Sequence, residues 1–258
     1  MHFSAITITK VVFLNIAATG VCLCMIPPQP IPSGESREKY NDPLTPSPDE
    51  GHPADRQTGA YLLTSPRFDY KAASAKFGTT YFPYIFSTWV VFMSTLDTFH
   101  ALDLFPHIMP IGHKTTTRAF NTQLIIGLMT TIAFSTLRVA SFQTLGRFFT
   151  YQLSILPDHK LVTHGLYSYV RHPSYTAILS MFAGVLLTVT APGSVLYDSL
   201  GVESTERLMI LLALAIAYGT YVFAHRASVE DQVLRKEFGR EWEEWAQVVR
   251  YKFIPGVL

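Results

Sequence analysis

The chain has 258 residues, of which 48% are hydrophobic and only 15% are charged, and its formal net charge is +1. Soluble domains carry about 25% charged residues, so this composition argues against an ordinary soluble fold. The near-neutral charge argues against the basic face that nucleic-acid binding needs. Two cysteines, Cys22 and Cys24, can build neither a disulfide framework nor a zinc site, so we expect no metal. The mean hydropathy of +0.22 points to a membrane protein.

Five apolar segments follow one another, each long enough, or nearly so, to cross about 30 Å of hydrocarbon. Their approximate bounds are 6–26, 81–102, 124–139, 175–191 and 208–224. The first can also be interpreted as a secretory signal, because Lys10 precedes an apolar core. Pro27 and Pro28 disfavour cleavage nearby, so we expect a retained helix. The predicted fold class is all-α, an integral membrane helical bundle of about five transmembrane helices.

A polar segment rich in proline, serine and acidic residues separates the first two spans, from 27 to about 56. Its composition cannot bury a core, so we predict a largely disordered loop. The chain is therefore expected to divide into three parts. These are a first transmembrane helix at 1–26, a polar loop at 27–79, and a membrane domain at 80–258 whose catalytic half starts near 146.

The distribution of lysine and arginine predicts the orientation in the membrane. The loop 191–206 carries neither residue, whereas the segment between spans three and four and the tail after span five are basic. Both basic segments are predicted to face the cytosol, with the N-terminus outside or in a lumen. Lys114 and Arg118, in the loop before the third span, fit this orientation less well.

A first polar cluster, residues 159–175, directly precedes the fourth span and holds three histidines and three tyrosines. Pro173 disfavours helical geometry at His172 and suits the first position of a helix, so we predict that the helix begins there. The free N–H groups of its first turn can bind an anion such as a carboxylate. Gly165 permits a tight turn in the preceding loop. An interfacial aromatic belt explains any single tyrosine, but not this combination of residues.

A second polar cluster, residues 225–234, follows the fifth span directly. Arg226 and Glu230 are four residues apart, so they share one face of a helix that continues out of the membrane. Taken alone, such a pair is typical of an exposed ion pair of little energetic value. Beyond it, residues 238–245 predict an amphipathic helix at the membrane interface, with Trp242 and Trp245 facing lipid.

These motifs resemble those of the isoprenylcysteine carboxyl methyltransferase family. The matching stretches occur in order over the C-terminal half: His159-Lys-Leu-Val, Gly165-Leu-Tyr167, Arg171-His172-Pro173-Ser174-Tyr175, Arg226-x-x-x-Glu230 and Phe238-Gly239. The Arg-His-Pro-Ser-Tyr string is shared with related phospholipid methyltransferases. The chain departs from the family pattern at Asp231, where a second glutamate is usual, and at Ala177, where glycine is common. Arg250-Tyr251-Lys252 replaces an Arg-Val-Pro-type end.

The resemblance implies an endoplasmic-reticulum enzyme that methylates the C-terminal carboxylate of a prenylated cysteine in its substrate proteins. The basic segments described above predict that its active site faces the cytosol. S-Adenosylmethionine would be the methyl donor, and the prenyl chain would lie in membrane lipid. The cofactor-binding residues that it implies are Gln152, His159, Lys160, Leu161, Val162, Tyr167, His172, Pro173, Ser174, Tyr175 and Glu230. Arg226 falls on the family's substrate-side arginine and is the predicted catalytic residue. Glu230 suits the cofactor's ammonium group, and tyrosine rings suit its sulfonium.

Direct methyl transfer needs no general base, because a C-terminal carboxylate with a pKa near 3.5 is already ionised in the cytosol. The sequence shows no obvious catalytic dyad, which agrees with this mechanism. Three alternatives stay open. One is a phospholipid or other lipid methyltransferase of the same superfamily, whose amine acceptor would need a base. The others are an inactive membrane scaffold and a sterol reductase with a similar C-terminal end, which would use a nicotinamide cofactor.

Overall fold

The computed structural model describes residues 4–26, 81–102, 104, 120–150 and 158–256, and all regular secondary structure there is helical. The predicted polar loop at 27–79, Lys114, Arg118 and Gln152 lie outside the described residues. The helices are α1 (Ala5–Met25), α2 (Phe82–Ala101), α3 (Thr122–Leu145), α4 (Pro173–Val189), α5 (Val195–Leu200), α6 (Val202–Phe238) and α7 (Arg240–Val248). The predicted all-α class is confirmed.

Five of these helices, α1, α2, α3, α4 and α6, form where the five apolar segments are. Three are long and apolar enough to cross a membrane: α1, α3 with the turn that follows it, and α6. At 17 residues, α4 is apolar but reaches only about 26 Å. The structure is therefore compatible with a membrane helical bundle in which α2 and α4 pack beside three clear spans.

Local capping residues set the helix boundaries. The Ser4 hydroxyl accepts a hydrogen bond from the Thr7 amide at 3.1 Å and so caps α1. Asn121 caps α3 in the same way. Gly146, with φ +56°, ends α3, and Gly239, with φ +53°, separates α6 from α7. Both glycines have a positive φ with ψ near −120°, a backbone conformation that glycine adopts readily because it carries no Cβ to clash.

A reciprocal glycine–threonine contact brings α3 and α4 close together. A Cβ at Gly127 would lie 2.7 Å from the amide nitrogen of Thr188, and one at Gly184 would lie 2.6 Å from the amide nitrogen of Thr131. Each threonine hydroxyl donates to the carbonyl of the glycine four residues earlier in its own helix, at 2.8 and 2.9 Å. Small residues permit this approach, and the internal hydrogen bonds satisfy both hydroxyls in an apolar environment.

Polar side chains of α1 and α2 contact α5 and the loop that joins α4 to α5, at one end of the bundle. Lys10 of α1 donates to the Gly193 carbonyl at 3.0 Å. Asp97 of α2 accepts from the Val195 amide at 2.7 Å. The His100 ring contacts Asp198 at 3.1 Å. The first polar cluster precedes the start of α4, whereas these contacts surround its end, so they lie at the other end of the bundle.

Candidate functional site

The two polar clusters meet at the hydroxyl of Tyr175, in the first turn of α4. This hydroxyl donates to Glu230 Oε2 at 2.7 Å and accepts from Arg226 Nε at 2.9 Å. The helix α6 runs unbroken from Val202 to Phe238, so it carries both partners past its apolar stretch on one face, as predicted. Residues more than fifty positions apart in the sequence therefore form one network at one end of the bundle.

The start of α4 agrees with the sequence prediction, since Pro173 is its first residue and His172 precedes it in a non-helical conformation. The first turn is only partly available to an anion. Proline has no amide hydrogen, and the Tyr175 amide already donates to the His172 carbonyl at 3.2 Å. The Ser174 side chain is buried, and its hydroxyl oxygen lies 2.6 Å from Arg138 Nη1.

Arg138 is a buried residue near this turn that the sequence analysis missed. It is 4% exposed in α3, and its Nη1 also donates to the Ser174 carbonyl at 3.0 Å. Its Nε donates to the Cys24 carbonyl near the end of α1 at 3.1 Å. Arg138 therefore joins α1, α3 and α4 directly beneath the candidate site. A charged residue inside an apolar segment is the signal that could have identified it.

His172 forms a buried pair with Asp231, a contact that the sequence analysis did not identify. The distance from His172 Nε2 to Asp231 Oδ1 is 3.0 Å, and the two residues are 5% and 7% exposed. On the other side of the ring, Nδ1 lies 3.6 Å from Glu230 Oε2. Because the second nitrogen faces a carboxylate and the ring is buried, the pair is arranged to hold His172 rather than to present a free base.

Basic side chains surround Asp231 as well. Arg171 Nη1 donates to Asp231 Oδ2 at 3.0 Å, and Lys252 Nζ lies 3.5 Å from the same oxygen. Within the described residues, the contacts of Glu230 all fall on its Oε2. The Glu230 side chain is 30% exposed, so its Oε1 can accept from a ligand.

An apolar wall formed by α7 and the loop before α4 borders the network. Tyr167, Trp242, Trp245 and Val249 are buried there, and Leu161, Val162, Leu234 and Phe238 pack against them. The Trp245 indole donates to the Tyr167 carbonyl at 3.2 Å. The prediction that both tryptophans face lipid is therefore wrong, because they fill the space between α7 and this loop. Burial, followed by the negative charge of Glu230, raises the pKa of Tyr167.

His159 lies at the edge of the apolar wall. Its ring stacks on Phe148 with centroids 4.7 Å apart, and it lies 5.8 Å from the ring of Phe238. Burial lowers the pKa of His159, although the charge of Glu230 opposes this shift. The charge of Glu230 thus acts on the pKa of both His159 and Tyr167. Lys160, next in the sequence, is exposed.

The structure thus brings most of the predicted site residues into one region. His172, Tyr175, Glu230 and Arg226 form the polar network, while Leu161, Val162, Tyr167 and His159 form the apolar and aromatic side. These groups suit a cationic ligand, because Glu230 Oε1 is an anionic acceptor and aromatic rings are favourable neighbours for a positive charge.

Comparisons with known proteins show similarity to one enzyme family. Residues 124–202 match the isoprenylcysteine carboxyl methyltransferase (ICMT) family. A probable protein-S-isoprenylcysteine O-methyltransferase of Oryza sativa subsp. japonica is 32% identical over 126 residues, 48% of this chain and 57% of that protein. Protein-S-isoprenylcysteine O-methyltransferase B of Arabidopsis thaliana is 34% identical over 128 residues, 48% of this chain and 55% of that protein. The chain thus spans a little over half the length of these relatives. No solved structure matches it.

Proposed function

We propose, from the match of residues 124–202 to the isoprenylcysteine carboxyl methyltransferase family, that this chain methylates the C-terminal carboxylate of a prenylated cysteine. The methyl donor in this proposal is S-adenosylmethionine. The observation that carries the proposal is the contact of Tyr175 with both Arg226 and Glu230. One hydroxyl thereby separates a carboxylate suited to a cationic cofactor from a guanidinium suited to an anionic acceptor.

The cofactor would be held between the polar network and the apolar wall. Glu230 would accept from its ammonium group through Oε1, and His159, Tyr167 and Tyr175 would supply aromatic neighbours. Lys160, Leu161, Val162, His172, Pro173 and Ser174 would complete this surface, together with Gln152 outside the described residues. S-Adenosylmethionine, when bound, supplies an electrophilic methyl group on a sulfonium. The ring face of a tyrosine attracts such a cation, by about 0.5–2 kcal/mol.

Arg226 would orient the acceptor carboxylate. It directly follows the apolar part of α6, which is the level at which a carboxylate on a lipid-anchored cysteine would meet the membrane surface. The acceptor is already ionised, with a pKa near 3.5, so no residue has to remove a proton. The contribution of the chain is then mainly to place the reacting groups in line, which can supply several kcal/mol. This role is consistent with a His172–Asp231 pair that faces Glu230 instead of open space.

The apolar part of α6 supports a lipid-side approach for the prenyl chain. Ile210, Leu214 and Tyr218 are more than 60% exposed, because few other described residues cover this helix. In a bilayer these side chains would contact lipid, and a prenyl group dissolved in the same lipid could lie beside them. We propose an endoplasmic-reticulum location with the candidate site facing the cytosol, where the basic segments on either side of it are expected.

The test is methyl transfer from labelled S-adenosylmethionine, in membranes that contain the full chain, to two acceptors side by side. Farnesylated cysteine should accept methyl groups and phosphatidylethanolamine should not. The Arg226→Lys variant should keep cofactor affinity and lose most turnover, because lysine cannot copy the planar two-point contact of a guanidinium with a carboxylate.

A matched control for that variant is Arg207→Lys, since the Arg207 side chain is 79% exposed on the same helix. Normal turnover in both variants would reduce Arg226 to a residue that anchors α6 at the membrane surface, because lysine extends to the headgroup layer as well as arginine does. Transfer to phosphatidylethanolamine alone would replace the proposal with a lipid methyltransferase.

A further inference from the structure

The C-terminal segment 250–253 lies along the loop that leads into α4. The Arg171 amide donates to the Tyr251 carbonyl at 3.0 Å, and the His172 amide donates to the Lys252 carbonyl at 2.8 Å. The Thr176 hydroxyl donates to the Phe253 carbonyl at 2.9 Å. On the side of the segment, these contacts involve only backbone carbonyls. They therefore fix the path of the segment beside His172, whatever side chains the segment carries.

The side chain of Lys252 extends from this fixed backbone towards α6. Its Nζ donates to the Ser228 hydroxyl at 3.2 Å and lies 3.5 Å from Asp231 Oδ2. The Lys252 side chain is 34% exposed, whereas that of Asp231 is 9% exposed. Lys252 therefore supplies a positive charge from the solvent side to a carboxylate that is otherwise largely removed from water.

The two oxygens of Asp231 face different partners. Oδ2 faces the cations Arg171 and Lys252, while Oδ1 faces His172. Nearby cations favour the ionised form of a buried carboxylate. An ionised carboxylate can only accept hydrogen bonds, so the proton shared with His172 must sit on Nε2 of the ring. The remaining nitrogen of His172, Nδ1, lies 3.6 Å from Glu230 Oε2, a contact that is favourable when Nδ1 also carries a hydrogen.

We propose that Lys252 is a positioning residue: through Asp231 it holds His172 against Glu230, and so sets the affinity of the site for the ammonium group of the cofactor. This inference rests on the proposed function, in which Glu230 binds that group. Lys252 touches neither the cofactor nor the acceptor in this proposal. Its effect passes through two side chains, and it should therefore appear in cofactor affinity before it appears in turnover.

The experiment measures the dissociation constant of S-adenosylmethionine for the purified full chain in detergent micelles, with no acceptor present. Lys252→Met, which keeps most of the side-chain length and removes the charge, should raise the constant about two- to fivefold, as expected for a partly exposed ion pair. Lys252→Arg keeps the positive charge, so its affinity for S-adenosylmethionine should stay close to that of the unmodified chain. Lys236→Met, at an exposed lysine on α6, is the matched control and should leave affinity unchanged.

The pathway through Asp231 is tested by a double-mutant cycle. In an Asp231→Asn background, Lys252→Met should have no further effect on affinity. The groups that face Asp231 are Arg171 and His172 from the loop before α4, Lys252 from the C-terminal segment, and the neighbouring Glu230 on α6. A carboxylate that has lost one cation takes up a proton more readily, so Lys252→Met should also move the acidic limb of the affinity profile to higher pH.

The outcomes separate the two proposals. If the unmodified chain does not bind S-adenosylmethionine, the proposed function fails. If it binds and Lys252→Met binds equally well, the positioning role is refuted while the function stands. Three other outcomes would refute the role as well. The effects of Lys252→Met and Asp231→Asn on affinity could be independent, or the acidic limb of the affinity profile could stay at the same pH in Lys252→Met. The third is that Lys252→Arg binds S-adenosylmethionine as weakly as Lys252→Met does.

Discussion

Replacing Gly184 by alanine should separate α3 from α4 and destabilise the bundle. The added Cβ would lie 2.6 Å from both the amide nitrogen and the hydroxyl oxygen of Thr131, and 3.0 Å from the Gly127 carbonyl. Non-bonded heavy atoms prefer about 3.5–4 Å, so the helices must part by roughly 1 Å at this point. The obstacle is backbone, which cannot rotate away as a flexible side chain can.

The size of the effect follows from two opposing contributions. Overpacking costs about 1–3 kcal/mol, and a clash with backbone belongs in the upper part of that range. Alanine in place of glycine recovers up to about 1 kcal/mol of helix propensity. We therefore expect Gly184→Ala to lower the free energy of unfolding by about 1–2 kcal/mol.

Gly219→Ala is the matched control, because its Cβ would meet only the end of the Leu179 side chain at 3.8 Å, an ordinary contact. It gains helix propensity without a clash, so the two variants should differ by about 2–3 kcal/mol. At about 2–4 °C per kcal/mol, this is a difference of roughly 4–12 °C in melting temperature. Tryptophan fluorescence during heating in detergent micelles measures it.

Equal melting temperatures for Gly184→Ala and Gly219→Ala would refute the close packing of α3 on α4. The double variant Gly127→Ala with Gly184→Ala provides a second check. Both clashes occur on adjacent turns of one contact, so the separation forced by the first substitution also relieves part of the second. The combined loss of stability should therefore be smaller than the sum of the single losses.

Three further predictions concern the ends of the bundle and the candidate site. Arg138→Met should lower the free energy of unfolding by at least about 2 kcal/mol, because it leaves buried carbonyls without their charged donor. The control Arg207→Met, at an exposed arginine, should leave the melting temperature unchanged. Equal effects of the two variants would contradict the role of Arg138 in joining α1, α3 and α4. Glu230→Gln should weaken binding of S-adenosylmethionine by about 1.5–3 kcal/mol in calorimetry, and unchanged affinity would remove Glu230 from the site. A glycosylation acceptor placed near Glu203 should be modified in microsomes and one after Gly239 should not; the reverse pattern would invert the proposed orientation.

Local sequence signals identified the helices and the start of the candidate site. Apolar segments of the right length mark α1, α2, α3, α4 and α6, and the position of Pro173 marks where α4 begins. These signals succeed because a helix boundary depends on residues within one or two turns of it. The pairing of the two polar clusters was expected from the resemblance, and the structure adds Tyr175 as the residue that joins them.

The side of α7 that is buried could not be decided in this way. An amphipathic pattern shows that Trp242 and Trp245 share an apolar face, but not whether lipid or protein covers it. In the structure the loop around Tyr167 covers that face, and the Trp245 indole donates to the Tyr167 carbonyl. The sequence predicts the amphipathic face, and only the fold supplies its partner.

The sequence by itself determined the helical class, the order of the apolar segments and the residues available for chemistry, because these depend on composition and on local backbone preferences. Only the tertiary structure decided that Arg138 joins α1 to the first turn of α4, and that Asp231 lies between His172 and Lys252. These contacts join residues between 21 and 114 positions apart. Which charges meet is determined by how the helices pack and by which side chains are withdrawn from water, and no local pattern in the sequence contains that information.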